Sequence, residues 1–168
     1  IDEVLDAALR PDAIVLSVAG GGQLSGVAEG LDRHRWHDVP IIAAETNGAD
    51  SLARSLEEGR VVELDAITSL ATSLGAKKVC AQAFEWAQRH PVRSAVVSDH
   101  AAVKACHRFI EDHRTVVEPA CGASLAVVYD GAAALEDAET VLVVVCGGVT
   151  ATVEQLRAWS DAHVTGGR

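Results

Sequence analysis

The chain has 168 residues, which by length is one domain with room for a real core. Lys and Arg number 14 against 24 Asp and Glu, a formal charge of −10, which argues against a nucleic-acid surface because phosphate binding needs clustered cations. With 49% hydrophobic and 23% charged residues the composition excludes a disordered chain, and the longest apolar runs, such as residues 141–145, are far too short to span a bilayer.

Taken in chain order, amphipathic and apolar segments alternate. Residues 2–10 predict a short helix. Residues 14–18 (IVLSV) predict a strand that runs into Ala-Gly-Gly-Gly, and residues 24–33 a helix after the glycines. Residues 39–44 (VPIIAA) predict a second strand ending at Glu45, and residues 61–64 a brief third. A helix over 80–89 precedes a strand over 94–97. That strand leads into Ser98-Asp99, where Ser98 is placed to cap a helix over 99–113 with an acid just behind it. Residues 123–134 are Ala-rich and apolar nearly all round, which predicts a buried helix. The run over 141–145 is the strongest strand and ends in Cys146-Gly147-Gly148; a helix over 153–162 closes the chain. Continuous apolar runs, rather than alternating ones, predict strands covered on both faces. The fold class expected is therefore α/β, a mostly parallel twisted sheet with helices on both faces.

The four cysteines, Cys80, Cys106, Cys121 and Cys146, lie far apart with no CxxC pair. This excludes a disulfide framework and a structural zinc site, and predicts free thiols in a reducing, cytoplasmic compartment. The seven histidines show no metal-binding spacing, and Trp36, Trp86 and Trp159 are expected as core or interface anchors.

The sharpest feature is the loop Ser17-Val18-Ala19-Gly20-Gly21-Gly22-Gln23, set between a predicted strand and a predicted helix. Consecutive glycines let the backbone turn tightly with its amides pointing one way, and the helix start adds partial positive charge. Together they make an anion cradle suited to a phosphate. A P-loop would end in Gly-Lys-Ser/Thr, and no lysine is present. A Rossmann-type nucleotide-binding domain stays open: Gly20-x-Gly22 fits the start of its fingerprint, Ser25 holds the third position, and Glu45 lies about where a ribose-binding acid would sit.

This loop occurs with Ala43-Ala44-Glu45-Thr46-Asn47-Gly48-Ala49, Ile67-Thr68-Ser69, Leu74-Gly75-Ala76-Lys77, Glu118-Pro119-Ala120-Cys121-Gly122-Ala123 and Val145-Cys146-Gly147-Gly148. Six separated motifs in this order resemble the liver-type L-serine dehydratase/L-threonine deaminase family, pyridoxal-phosphate (PLP) enzymes of fold type II, the tryptophan synthase β-like fold. The resemblance covers roughly residues 3 to 158. It implies that Ala19, Gly20, Gly21 and Gly22 match the tetraglycine loop that holds the cofactor phosphate, with Ala19 departing from the pattern, and that Gly75 also borders the cofactor. It implies that Cys146 faces the pyridine nitrogen, where a thiol is a weak partner that leaves the nitrogen largely unprotonated. Glu45, Ala49 and Ser51, with the carbonyls of Leu74 and Ala76, match the family's monovalent-cation site, with K⁺ the ion such oxygen ligands suit. The activity implied is β-elimination and deamination of serine or threonine to pyruvate or 2-oxobutyrate plus ammonia, in a homodimer. Other fold type II enzymes, such as racemases and threonine synthase-like proteins, are the related alternative.

Such enzymes need a Schiff-base lysine. The chain has only Lys77, Lys78 and Lys104, none in the Ser-x-Lys context the family uses, and it opens at Ile1 with no methionine anywhere. The expectation is that residues 1–168 are the C-terminal part of the cofactor-binding large domain. The lysine-bearing N-terminal part and the small domain would lie outside it, and the fragment alone would not turn over substrate.

Overall fold

The computed structural model describes residues 1–165. Four strands, β1 (Ala13–Ser17), β2 (Ile41–Thr46), β3 (Val92–Val97) and β4 (Val141–Val143), form one sheet in the order β3-β2-β1-β4, and every pair is parallel. In register, Ile14 lies opposite Ile41 on one side and Leu142 on the other. β1 and β2 are buried along their whole length. This is why their sequences read as unbroken apolar runs.

Alternate residues supply the two faces. Ile14, Leu16, Ile41 and Ala43 pack against Leu24, Ala28 and Leu31 of α2 (Gly22–Arg33), Leu52 of α3 (Ser51–Glu58), and Ala83 and Phe84 of α4 (Ala81–Arg89). Ala13, Val15, Ile42 and Ala44 pack against Ala120, Ala123 and Val127 of α6 (Pro119–Tyr129) and Ala102 of α5 (Asp99–His113). A third cluster joins α5 and α6 to Leu156 of α7 (Val153–Thr165), with Trp159 against its edge; Trp36 belongs to the first cluster and Trp86 packs on it. The α/β class with helices on both faces is therefore the observed one.

Several boundaries move for identifiable reasons. α1 spans Asp2–Asp6 rather than 2–10, because the chain turns through a left-handed Ala8 (φ 55°). β2 begins after Pro40, which has no amide to give the ladder but whose carbonyl accepts the Ile14 amide at 2.9 Å. Residues 61–64 form no strand. The amide of Val62 donates to the Ser55 hydroxyl (3.1 Å) and that of Leu64 to the Lys77 carbonyl (2.8 Å), so this segment lies along α3 and the loop before α4. α3 itself was not expected; Gly59 (φ 66°) ends it. α6 starts four residues earlier than predicted, with Pro119 in its first turn, and Gly131 (φ 62°) turns the chain beyond Tyr129. α5 has the predicted limits, and the Ser98 hydroxyl accepts the Ala101 amide at 3.1 Å. Among the described residues no helix is long and apolar enough to cross a membrane.

Candidate functional site

β1 lies between β2 and β4, so the chain leaves its carboxyl end at the point where strand order reverses. In open α/β sheets this is where ligands settle. The residues after β1 there border a cavity of about 210 Å³, together with Ser73 and Leu74 from the loop after α3, Glu118 and Ala120 at the start of α6, and Cys146 after β4.

The loop has two left-handed residues, Ala19 (φ 48°) and Gly21 (φ 90°). It is closed by the Gly21 amide on the Val18 carbonyl (2.8 Å) and tied to α4 by the Cys80 amide on the Gly20 carbonyl (3.0 Å). Ala19 thus keeps its amide but sits where glycine is favoured, and the fold holds it there. The glycines have different reasons. Gly21 is backed by the start of α4: a Cβ there would lie 2.4 Å from Ala83 Cβ. At Gly22 a Cβ would meet nothing within 4 Å, and at Gly20 only Ala76 Cβ at 3.9 Å. Neither has a left-handed φ, yet both line the cavity. Packing therefore gives no reason for glycine at 20 and 22. Open backbone facing a cavity does, because it lets a ligand approach the amides closely. Among the described residues, the amides of Ala19, Gly20, Gly22 and Gln23 donate to no protein acceptor, which leaves them for an anion at the start of α2.

Cys146 is exposed at the cavity and Cys121 of α6 is buried beside it. The Cys121 thiol beside it, with a smaller contribution from Ser17, pulls the Cys146 thiol below the ordinary cysteine range against the opposing effects of burial and the nearby Glu118 carboxylate. The Cys121 thiol is pushed far up by its hydrogen bond to Cys146 and by burial. Burial also pushes Cys106 up, to about 12. Alkylation followed by peptide mapping is expected to label Cys146 with a midpoint below that of an ordinary thiol while Cys121 and Cys106 stay unmodified. In Cys121→Ala the Cys146 midpoint moves upward, and an unmoved midpoint would refute the pairing. Ser17 fixes this corner: its hydroxyl donates to the Ala120 carbonyl (2.5 Å) and lies 2.7 Å from the Ser124 hydroxyl.

Gly75 is outside the cavity lining. A Cβ there would lie 2.7 Å from the Thr72 carbonyl oxygen, so Gly75 belongs to the tight turn that presents Ser73 and Leu74. Lys77 donates to the Asp65 carbonyl and Lys104 borders a groove between α5 and α6; among the described residues no lysine lines the cavity.

Glu45, 1% exposed, accepts the Leu52 amide on Oε1 (2.9 Å) and the Ala53 amide on Oε2 (2.8 Å). Burial nonetheless pushes its carboxyl from 4.5 to about 7, those two amides opposing and Asp50 adding to the rise. Ser51, also 1% exposed, has a buried hydroxyl oxygen with no hydrogen-bond partner. Ala49 and Leu74 fall in one apolar cluster; the Leu74 carbonyl accepts the Ala76 amide (2.7 Å), and Ala76 packs toward Gly20. A buried carboxylate beside an orphaned hydroxyl fits a cation of low charge. It does not fit a ribose, since both Glu45 oxygens face the start of α3. Ser25 likewise turns its hydroxyl back to the Gly21 carbonyl (2.9 Å).

Glu118, Ser17, Ser73 and Ser124 reach or brace the cavity without having been singled out as site residues. Only position could have found them, since each sits inside or beside a quoted motif.

A family model described as pyridoxal-phosphate dependent enzyme matches residues 1–147. The chain is 46% identical to the L-serine dehydratase/L-threonine deaminase of Rattus norvegicus over 94% of its own length and 45% of the relative's. It is 40% identical to the L-serine dehydratase of Dictyostelium discoideum over 88% of its length and 43% of the relative's. The crystal structure of a fungal L-serine ammonia-lyase from Rhizomucor miehei superposes with a TM-score of 0.90 at 33% identity, over 95% of this chain and 53% of that one. Maize serine racemase superposes with a TM-score of 0.81 at 25% identity, over 96% and 51%. The chain spans about half the length of the curated relatives it matches.

Proposed function

The chain belongs to the pyridoxal-phosphate-dependent enzyme family, and from that premise we infer that it forms the C-terminal part of the large domain of an L-serine/L-threonine dehydratase. The reaction is β-elimination and deamination, giving pyruvate from serine or 2-oxobutyrate from threonine, plus ammonia. The observation that carries this reading is the pair of glycines, Gly20 and Gly22, that open onto the cavity with no packing reason to be glycine. Identity of 46% to a serine dehydratase over nearly the whole chain supports the choice of substrate class.

In this reading the amides of Ala19, Gly20, Gly22 and Gln23 hold the cofactor phosphate, and Gly21 shapes the turn that aims them. Cys146 faces the ring nitrogen, steadied by Cys121 and Ser17. The cofactor, when bound, supplies the electron sink for removal of the substrate's α-proton. The Schiff-base lysine and the segment that grips the substrate carboxylate come from an N-terminal part of the same protein. Glu45, Ser51 and the carbonyls of Ala49, Leu74 and Ala76 hold a monovalent cation, K⁺ being the ion of suitable charge and hardness. The unpartnered Ser51 hydroxyl supports that site. The assembly is a cytoplasmic homodimer, as in the family.

Gly22→Ala tests the cradle. The methyl group meets no packing neighbour within 4 Å beyond the adjoining chain of its own helix, so the variant should fold with wild-type stability. It should bind pyridoxal phosphate at least tenfold more weakly by equilibrium dialysis, a loss of about 1.4 kcal/mol or more. Wild-type affinity in a folded Gly22→Ala protein would remove the cradle from the phosphate-binding role.

A further inference from the structure

The cavity wall opposite the glycine loop is built from segments far apart in sequence, and one side chain meets them all. Glu118 stands just before α6 and is 6% exposed, yet its carboxylate makes no capping bond. Its Oε2 accepts the Thr150 hydroxyl (2.7 Å) and the Thr150 amide (3.2 Å), and the Ser73 hydroxyl donates to the same carboxylate. Its own amide donates to the Gly147 carbonyl (3.2 Å). Among the described residues no Lys, Arg or His pairs with it. These donors alone hold the charge, and a buried carboxylate held only by donors is sensitive to the loss of any one of them.

The two segments that supply the donors meet through the carboxylate rather than directly. The Ser73 and Thr150 hydroxyl oxygens are 3.4 Å apart, longer than an ordinary O–H···O bond. Each segment leads to a different part of the site. Ser73 precedes Leu74, whose carbonyl is one of the oxygens read above as cation ligands. The other end of that loop is fixed beside Glu45: the Ser69 hydroxyl lies 2.7 Å from the Thr46 hydroxyl and donates to Asp99 (2.5 Å). Thr150 ends the segment that begins at Cys146. That segment lies tightly on the residues before α6, since a Cβ at Gly148 would overlap the Val116 carbonyl oxygen. A shift of Glu118 therefore carries Cys146 with it. We propose that Glu118 is a positioning residue that couples the cation site to the cofactor pocket: a cation that orders the Leu74 loop sets Ser73 on Glu118, and Glu118 in turn sets the Thr150 segment, and Cys146 with it, against the cofactor. The coupling rests on the cofactor and cation readings above and adds the residue that joins them. Such coupling is reciprocal, so the cofactor tightens cation binding by the factor by which the cation tightens the cofactor.

Equilibrium dialysis of the full-length protein tests the coupling, with pyridoxal phosphate as ligand in potassium chloride or in tetramethylammonium chloride at equal ionic strength. Thermal unfolding of the cofactor-free protein in the same two salts reads the cation site separately. In wild type, potassium should tighten cofactor binding at least fivefold. In Glu118→Gln and in Ser73→Ala that ratio should fall below twofold while potassium still raises the melting temperature. Variants that weaken cofactor binding equally in both salts, with the fivefold ratio kept, would make Glu118 merely structural and overturn the proposal. A wild-type protein that potassium stabilises without changing cofactor affinity would overturn the coupling and leave both readings standing. If potassium stabilises nothing, or the cofactor does not bind, the corresponding reading fails and the coupling fails with it. Ser73→Ala keeps the test decisive if Glu118→Gln does not fold, because Ser73 is exposed.

Discussion

Gly21→Ala is expected to lower the unfolding free energy by roughly 3 kcal/mol and to abolish phosphate binding, the largest effect of any single methyl group in the loop. Two costs add. The residue sits at φ 90°, where an L side chain is strained, and its Cβ would fall 2.4 Å from Ala83 Cβ and 2.9 Å from Val79 Cγ2. Left-handed strain is worth about 1–2 kcal/mol and overpacking a filled core about 1–3 kcal/mol. Neither neighbour can yield easily. Val79 and Ala83 are fully buried and belong to the cluster that joins α4 to β1 and α2. Urea denaturation of Gly21→Ala beside Gly22→Ala separates the two kinds of glycine. Gly21→Ala should unfold at clearly lower denaturant, while Gly22→Ala keeps the wild-type midpoint and loses only the ligand. Equal midpoints for the two variants would contradict the packing described here.

Potassium is expected to stabilise the wild-type protein above pH 7 and to leave Glu45→Gln unaffected. The sign follows from the Glu45 carboxyl, which burial raises from 4.5 to about 7. A raised carboxyl favours folding most when it is protonated. Its contribution is complete below the unfolded value and is lost as pH rises through about 7, a swing of roughly 3 kcal/mol. Without a cation, wild type should therefore lose stability relative to Glu45→Gln between about pH 5 and pH 8. A cation touching the ionised carboxylate and the Ser51 hydroxyl restores it, by about 2.7 kcal/mol at a hundred times the dissociation constant. Thermal unfolding in potassium chloride against tetramethylammonium chloride, at equal ionic strength, reads the difference directly. The same melting temperature in both salts at pH 8 would rule out a cation at Glu45.

How far the sequence could be read depended on whether the deciding interaction was local. The phosphate loop was legible because its signal is a run of glycines between an apolar strand and a helix. The limits of α5 were legible because Ser98 is a cap that acts on its own third neighbour. The burial of α6 was legible from its uniformly apolar face, although its start was misplaced beyond Pro119, a residue well suited to open a helix. Residues 61–64 have the composition of a strand, but their amides are taken by Ser55 and Lys77, partners that no local pattern announces. The six motifs made Glu45, Ser51 and Cys146 visible as candidates. They did not show that the Cys146 thiol leans on Cys121, or that Glu118 is buried without a cation, because those facts depend on segments that meet only in three dimensions.

The hydroxyl of Ser17 reaches the Ala120 carbonyl across 103 positions of sequence. That one bond joins the first strand to the helix that carries Cys121 and begins just after Glu118. Bringing such distant points together is entropically expensive and belongs to the slow, non-local part of folding. The loop after β1 closes on itself through the Gly21 amide but is held by α4, and the pocket wall opposite it needs α6 in place. Ligand capture is thus a reporter of completed folding in this chain. A nascent or partly unfolded chain would carry the glycines without the pocket, and a ligand that binds the finished cavity would draw the docking equilibrium toward the native state.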